Sequence, residues 1–353
     1  MSVYKKNVLI IVVGLLIAGC VTETDQSFIN PVSNVQGDRQ ILEVLTLHDS
    51  LSVEQLFGEG TSIGALAADR NHIYLLDPFI LTIFSISTDT FEPVFSIQPE
   101  EGRGPGEVTG ISGFDTLNDE IILVNETLMK VQRWRDSGEL LEEFIIEGVQ
   151  PNRVSFWNDG NFTILSPSRP GDLLFHTFDR EGDLLGSFGD VAGIEYNPVQ
   201  FSGSVLVEGD DFYFAGHSEH ILAKWNRDGE LQYSVTSIDD FPSELNYLRF
   251  EGAEQRGWQL SEHGFYFALD LDIYQDYLIV VHGGSPMEEP YQQLVDIYNK
   301  QDGRYLASLE IPYRIGGLVV VDDFIVMLHR IDGEVYLGIY ENRLQEILSE
   351  VIE

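Results

Sequence analysis

The feature that most constrains this chain is a repeat. A polar turn followed by four apolar strand residues recurs along it. Asn71-His72 precedes Ile73-Tyr74-Leu75-Leu76, Asp119-Glu120 precedes Ile121-Ile122-Leu123-Val124, and Gly160-Asn161 precedes Phe162-Thr163-Ile164-Leu165. The pattern returns at Asp210-Asp211 before Phe212-Tyr213-Phe214-Ala215, Asp276-Tyr277 before Leu278-Ile279-Val280-Val281, and Asp322-Asp323 before Phe324-Ile325-Val326-Met327, which makes six units. A further strand and a hairpin turn follow. Four of these turns carry Ser-Gly, Glu-Gly or Asp-Gly, at Ser137-Gly138, Glu181-Gly182, Asp228-Gly229 and Asp302-Gly303. Such pairs supply the positive φ of a tight hairpin. Asp89-Thr90 and Glu341-Asn342 hold the same place without glycine. The period, about 45 residues, is that of a four-stranded propeller blade. Apolar residues stand at successive positions because a stacked blade is covered on both faces and has no polar side to show. Two separate β-sandwiches would leave six equivalent units unexplained. The expected fold is all-β, a six-bladed β-propeller with four-stranded blades over residues 41–347.

Three irregularities refine this expectation. Residues 238–266 form an insertion between the fourth and fifth units. Ile41 to Leu47 and Val53 to Phe57 precede the first unit and end in Phe57-Gly58-Glu59-Gly60, parallel to Phe188-Gly189-Asp190. They read as N-terminal strands that complete the last blade and so cover its open edge. Residues 348–353 read as a tail.

The N-terminus has the three parts of an export signal. Lys5 and Lys6 supply the positive start, Val8 to Ile17 the apolar run, and Ala18-Gly19 small residues directly before Cys20. The run is shorter than the roughly 20 residues of a membrane-spanning helix. Ile17-Ala18-Gly19-Cys20 resembles the lipobox of bacterial lipoproteins, which implies a signal peptide over 1–19, a lipidated Cys20, and a membrane as partner through that lipid. Residues 20–40, polar and broken by Pro31 and Gly37, read as a flexible tether. Cys20 is the single cysteine, so its lipidation leaves no thiol for a disulfide and the core must hold the fold. Apolar residues at 43% are enough for one. With 58 acidic against 20 basic residues, a net charge of −38, the surface repels phosphate backbones, and nucleic acid is excluded as a partner.

Between the first two units stands Gly102-Arg103-Gly104-Pro105-Gly106-Glu107-Val108. With the repeats and the lipobox, this stretch resembles the six-bladed β-propeller lipoproteins of Bacteroidetes and related bacteria, themselves similar to NHL-repeat propellers. Members carry Gly-x-Gly-Pro-Gly-Glu-Phe here, and Val108 is the one departure. The resemblance spans the mature chain and implies the fold and an envelope location, expected at the outer membrane; it implies little of function. The stretch is no phosphate loop, since it lacks Lys-Ser/Thr and no helix follows it. It reads as a structural turn, with binding by Arg103 and Glu107 as the alternative.

Ligand sites in propellers gather on the face that carries the loops between second and third strands. The aligned units put Asp77, Asn125, Ser166, Gly216, His282 and Leu328 first in those loops. His217 and His220, with Glu219 between, have metal-like spacing but sit on a loop, which leaves ordinary loop histidines as the other reading. Arg153 and Arg314 precede innermost strands and Arg103 lies in an inter-blade link, so all three are expected at the channel mouth as a site for a carboxylate or sulfated sugar. Salt bridges to the many acids are the alternative. Asp115 and Asp272 hold equivalent places on innermost strands, with Asp270 two residues before Asp272 on the same side. Their carboxylates could ring a calcium ion, or simply line a hydrated channel. Trp134 and Trp225, on third strands, are expected in the core, and Trp258, in the insertion, at the surface.

No nucleophile elbow or recognisable catalytic set is present. The expected function is a lipid-anchored envelope module that binds a protein, peptide or glycan through its loop face. The alternative is a calcium-dependent lactonase or esterase working at the channel.

Overall fold

The computed structural model describes residues 30–34, 39–167, 173–191, 200–239, 245–249, 256–260, 266–284, 293–321 and 323–352. It is a six-bladed β-propeller with four-stranded antiparallel blades. Blade 1 comprises Ala65–Ala68, His72–Asp77, Thr82–Ser87 and Pro93–Ile97, running from the centre outward. The innermost strands of blades 2 to 6 are Gly113–Leu117, Arg153–Phe156, Gly203–Glu208, Tyr266–Tyr274 and Arg314–Val321. Each innermost strand touches the next in chain order and the sixth returns to the first, which closes the ring.

The core consists of six apolar clusters, one between each pair of neighbouring blades. This arrangement explains the continuous apolar strands. In blade 1, Ile73 and Leu75 pack toward blade 6 while Tyr74 and Leu76 pack toward blade 2. In blade 4, Phe212 and Phe214 face blade 3 and Tyr213 and Ala215 face blade 5. Alternate side chains point to opposite faces of a strand, and here both faces are dry.

The same test exposes an offset in the last unit. Ile325 and Met327 face blade 5, and Val326 and Leu328 face blade 1. Ile325, not Phe324, therefore matches Ile73, and His329 rather than Leu328 stands first in the blade 6 loop.

The C-terminal strands supply only three members of blade 6, Arg314–Val321, Phe324–Ile331 and Glu334–Glu341; Leu47–Ser52 adds the fourth by pairing with Glu334–Glu341. The N-terminal closure of the last blade is thus present, but by one strand only. Ile41–Val44 lies instead as a fifth, parallel strand on the outer edge of blade 5. Val53–Phe57 is not a strand but a short helix, α1. Ser52 caps it by accepting from the Gln55 N–H, and Val53 packs into the core between blades 6 and 1. One vacancy in the blade accepts one strand, so the remaining residues took other places.

Two further segments differ from expectation. The described part of the tether is attached: Val32 bridges Val235 on the outer strand of blade 4, and the Asn34 amide donates to Thr236 and Gly303 carbonyls. The C-terminal residues form a second helix, α2 (Leu344–Ile352), whose Leu344, Ile347 and Leu348 extend the core between blades 5 and 6. The insertion contains a hairpin, Leu245–Arg249 paired with Arg256–Leu260. Among the described residues no helix is long and apolar enough to cross a membrane.

Candidate ligand site in the central channel

The innermost strands of all six blades enclose a cavity of about 290 Å³. Pairing with the second strands sorts the residues of the innermost strands into levels. Ala65, Gly113, Arg153, Ser204, Asp270 and Gly317 pair with Leu76, Val124, Leu165, Ala215, Val281 and Leu328, and form the level nearer the loop face. Two residues further along the strands stand Ala67, Asp115, Ser155, Leu206, Asp272 and Val319. Four of the six residues in the first level are glycine, alanine or serine. Ala65, Gly113 and Ser204 line the cavity, and their small side chains leave it open.

The three aspartates are tied to the blades that follow them. Asp115 accepts from the Phe156 N–H (2.8 Å) and the Ser155 hydroxyl (2.9 Å) of blade 3. Asp270 and Asp272 accept from the Leu318 and Val320 N–H groups of blade 6, at 3.0 and 2.6 Å. Each also accepts from the N–H of its own next residue. Ser155 continues the chain by accepting from Val207 of blade 4 at 3.0 Å, and Ser204 donates to the Leu269 carbonyl of blade 5 at 3.3 Å. Burial pushes Asp115 and Asp270 up to about 6 against the pull of these bonds. Asp272 rises to about 7, chiefly through burial and further through the charges of Asp270 and Asp115.

These carboxylates do not gather as a calcium site would require. Among the described residues, the one group of three or more ligating atoms within 4.8 Å of one another is Asp239, His282 and Asp296. Its positive charge is already present: Arg39, from the tether, is ion-paired to both Asp239 and Asp296 and donates to the Ser308 hydroxyl at 2.7 Å. Burial works against the Asp239 charge, yet His282 and Arg39 hold its pKa below the ordinary carboxylate range. This cluster ties the N-terminal strap to blades 4 and 5. Sequence reading missed Arg39, Asp239 and Asp296; the one signal was an arginine, scarce in this chain, in a segment taken for a linker.

Of the three arginines expected at the channel mouth, only Arg153 lines the cavity, and among the described residues it is the only basic one there. Its guanidinium donates through one nitrogen to the Ser112 and Asn152 carbonyls and forms no ion pair with a described carboxylate. Burial lowers its pKa, opposed by the nearby charges of Asp270 and Glu126. Arg103 and Arg314 are exposed. Beside Arg153, burial depresses the His217 imidazole to about 3, with the arginine charge adding to it, and His217 Nε2 is buried without a hydrogen-bond partner.

The remaining candidates shape the loops. Asp77 is fully buried and accepts from the Ser62, Phe79 and Ile80 N–H groups. It thereby fixes a turn that leaves Phe79 81% exposed next to Pro78, which lines the cavity. Asn125 does the same for Leu128. His220 bonds Ser237 at 3.1 Å and His282 bonds Asp239 at 2.9 Å, and among the described residues neither His217 nor His220 belongs to a group of three ligating atoms. Trp134 and Trp225 are buried as expected. Cys20 and the signal peptide lie outside the described residues, and the Trp258 side chain is not described.

The glycine-rich link is structural. The Glu107 carboxylate folds back to accept from the Gly104 N–H at 2.6 Å, and Lys130 donates to the Gly104 and Glu107 carbonyls at 2.8 and 3.0 Å.

Several solved structures share this architecture. An exported protein of Bacteroides fragilis is 12% identical with a TM-score of 0.55, over 89% of this chain and 100% of that one. A member of the DUF4221 family from Bacteroides vulgatus is 12% identical with a TM-score of 0.56, over 86% and 99%. The β-propeller domain of Cps50 (Swd1) from Myceliophteria thermophila is 11% identical with a TM-score of 0.50, over 84% and 99%. At these identities the likeness is one of fold. No protein-family model matches the chain, and no curated protein does.

Proposed function

We propose that this chain is a lipid-anchored envelope protein that binds a protein, peptide or glycan segment at the loop face and receives part of it in the central channel. The observation that carries this reading is Arg153. A guanidinium with no ion-pair partner among the described residues, on a cavity wall, has given up part of its hydration for two carbonyl contacts. Such a cost is recovered when a ligand supplies the missing acceptors. The fixed, exposed Phe79 at the rim offers an apolar contact to whatever extends from the channel.

The envelope location rests on the export signal and on Cys20 after Ala18-Gly19. The description of the Bacteroides fragilis neighbour as exported agrees with it. Labelled palmitate should be incorporated into the wild type and not into Cys20→Ala, and the wild type should fractionate with the outer membrane. Equal labelling of the two would remove the anchor from this reading.

The binding function is tested with the full-length chain in detergent on arrays of envelope glycans and peptides. Wild type should select a ligand that Arg153→Met and the channel-filling Ala67→Leu both lose. Selection unchanged in both variants would move the site away from the channel.

A further inference from the structure

The upper level of the channel carries two opposite charges that have not combined. Arg153 of blade 3 and Asp270 of blade 5 hold equivalent register positions, with Ser204 of blade 4 between them. Each feels the other's charge, yet they form no ion pair. Around them Ala65, Gly113 and Ser204 leave the space open. Room at Asp270 is tight: a methyl group on Gly317 would stand 3.0 Å from its Oδ2. Leu66, Val205 and Leu269 add apolar wall.

We propose that this level is a receptor for a small zwitterion, with its carboxylate on Arg153 and its ammonium on Asp270. The proposal rests on the reading of the channel as the binding site and names the ligand chemistry there. A guanidinium that uses one nitrogen keeps the others for a bidentate carboxylate. Asp270 already accepts from Leu318 and Leu271 N–H groups, and two carboxylate oxygens have lone pairs beyond those. A lone anion would meet Asp115, Asp270 and Asp272 in the same cavity, inside a chain of net charge −38. A lone cation would leave Arg153 unanswered. A molecule bearing both charges satisfies both poles, and the class includes free amino acids and short peptides.

Isothermal titration of the full-length chain in detergent tests this with glycine, L-leucine, L-phenylalanine and glycylglycine at pH 7.5. For L-leucine the matched controls are 4-methylpentanoate, which lacks the ammonium, and 3-methylbutylamine, which lacks the carboxylate. At least one zwitterion should bind, and its single-charge analogues should bind at least tenfold more weakly. Arg153→Met and Asp270→Asn should each weaken the zwitterion at least tenfold. The analogue comparison on wild type stands even where a variant folds poorly. Binding by none of the zwitterions, equal binding by either analogue, or indifference to Arg153→Met would overturn the proposal. Should the zwitterions fail while Arg153→Met still abolishes an array-selected ligand, the channel remains the site and only the zwitterion chemistry falls.

Discussion

Gly102 is glycine because another residue's carboxylate occupies the place of its side chain. A Cβ there would stand 2.0 Å from Glu107 Oε2, the atom that accepts from the Gly104 N–H. Gly102→Ala should expel the carboxylate, free the Gly104 N–H, and cost about 1–3 kcal/mol in a urea melt. An unchanged midpoint would mean that the Glu107 bond holds nothing. The channel acids give a second prediction at this scale. A carboxyl raised from 3.8 to about 7, as Asp272 is, favours the folded state in its neutral form. Its contribution is full below the unfolded pKa and is lost as pH rises through 7, by at most about 1.4 kcal/mol per pH unit. His217 and His329, depressed by burial to about 3 and about 4, act in the opposite sense as pH rises through the unfolded histidine value of 6.5, and so offset this loss. Between pH 6.5 and 8.0 the melting temperature of the wild type should therefore fall relative to that of Asp272→Asn, which lacks this contribution alone. Parallel pH profiles for the two proteins would contradict the assignment.

Blades, strap and terminal helices differ in what holds them. The blades are held by apolar faces on both sides, and the strap by the Arg39 ion pairs, the Asn34 amide and a backbone bridge at Val32. Arg39→Met would leave Asp296, which is fully buried, without its counter-charge. Loss of one partner of a buried pair costs about 3–5 kcal/mol. Arg39→Met should lower the urea midpoint accordingly, and Asp296→Asn in the same chain should recover part of the loss. A midpoint equal to wild type would show that the strap is not anchored there. This contrast also explains what could be read in advance. Six repeats were legible because burial on two faces writes four successive apolar residues into every second strand. The one-residue offset at Ile325 was hidden, since Phe324 is apolar too and only packing shows which face it takes. Val53–Phe57 carries strand-like apolar residues, and a single capping serine turned it into α1. The strap has no periodic pattern, because one arginine and one asparagine attach it through partners about 200 or more residues away.

The ring brings together residues that no linear pattern connects. Arg153, Asp115, Asp270 and Asp272 were legible as channel residues from their place on innermost strands, which the repeat fixes. The inter-blade hydrogen bonds that occupy the aspartates were not, because their partners are backbone N–H groups of the next blade. Arg103 and Arg314 share the arginine chemistry but point to solvent, a matter of side-chain direction in links and at strand starts. What the molecule does then turns on the channel wall where blades 3, 4 and 5 meet. Hydrogen–deuterium exchange of the full-length chain, with and without the tightest ligand from the arrays, addresses that wall directly. Protection should appear together in Arg153–Phe156, Gly203–Glu208 and Tyr266–Tyr274, and not in the hairpin of the insertion. Protection confined to that hairpin, or to the outer strands of one blade, would contradict a channel site.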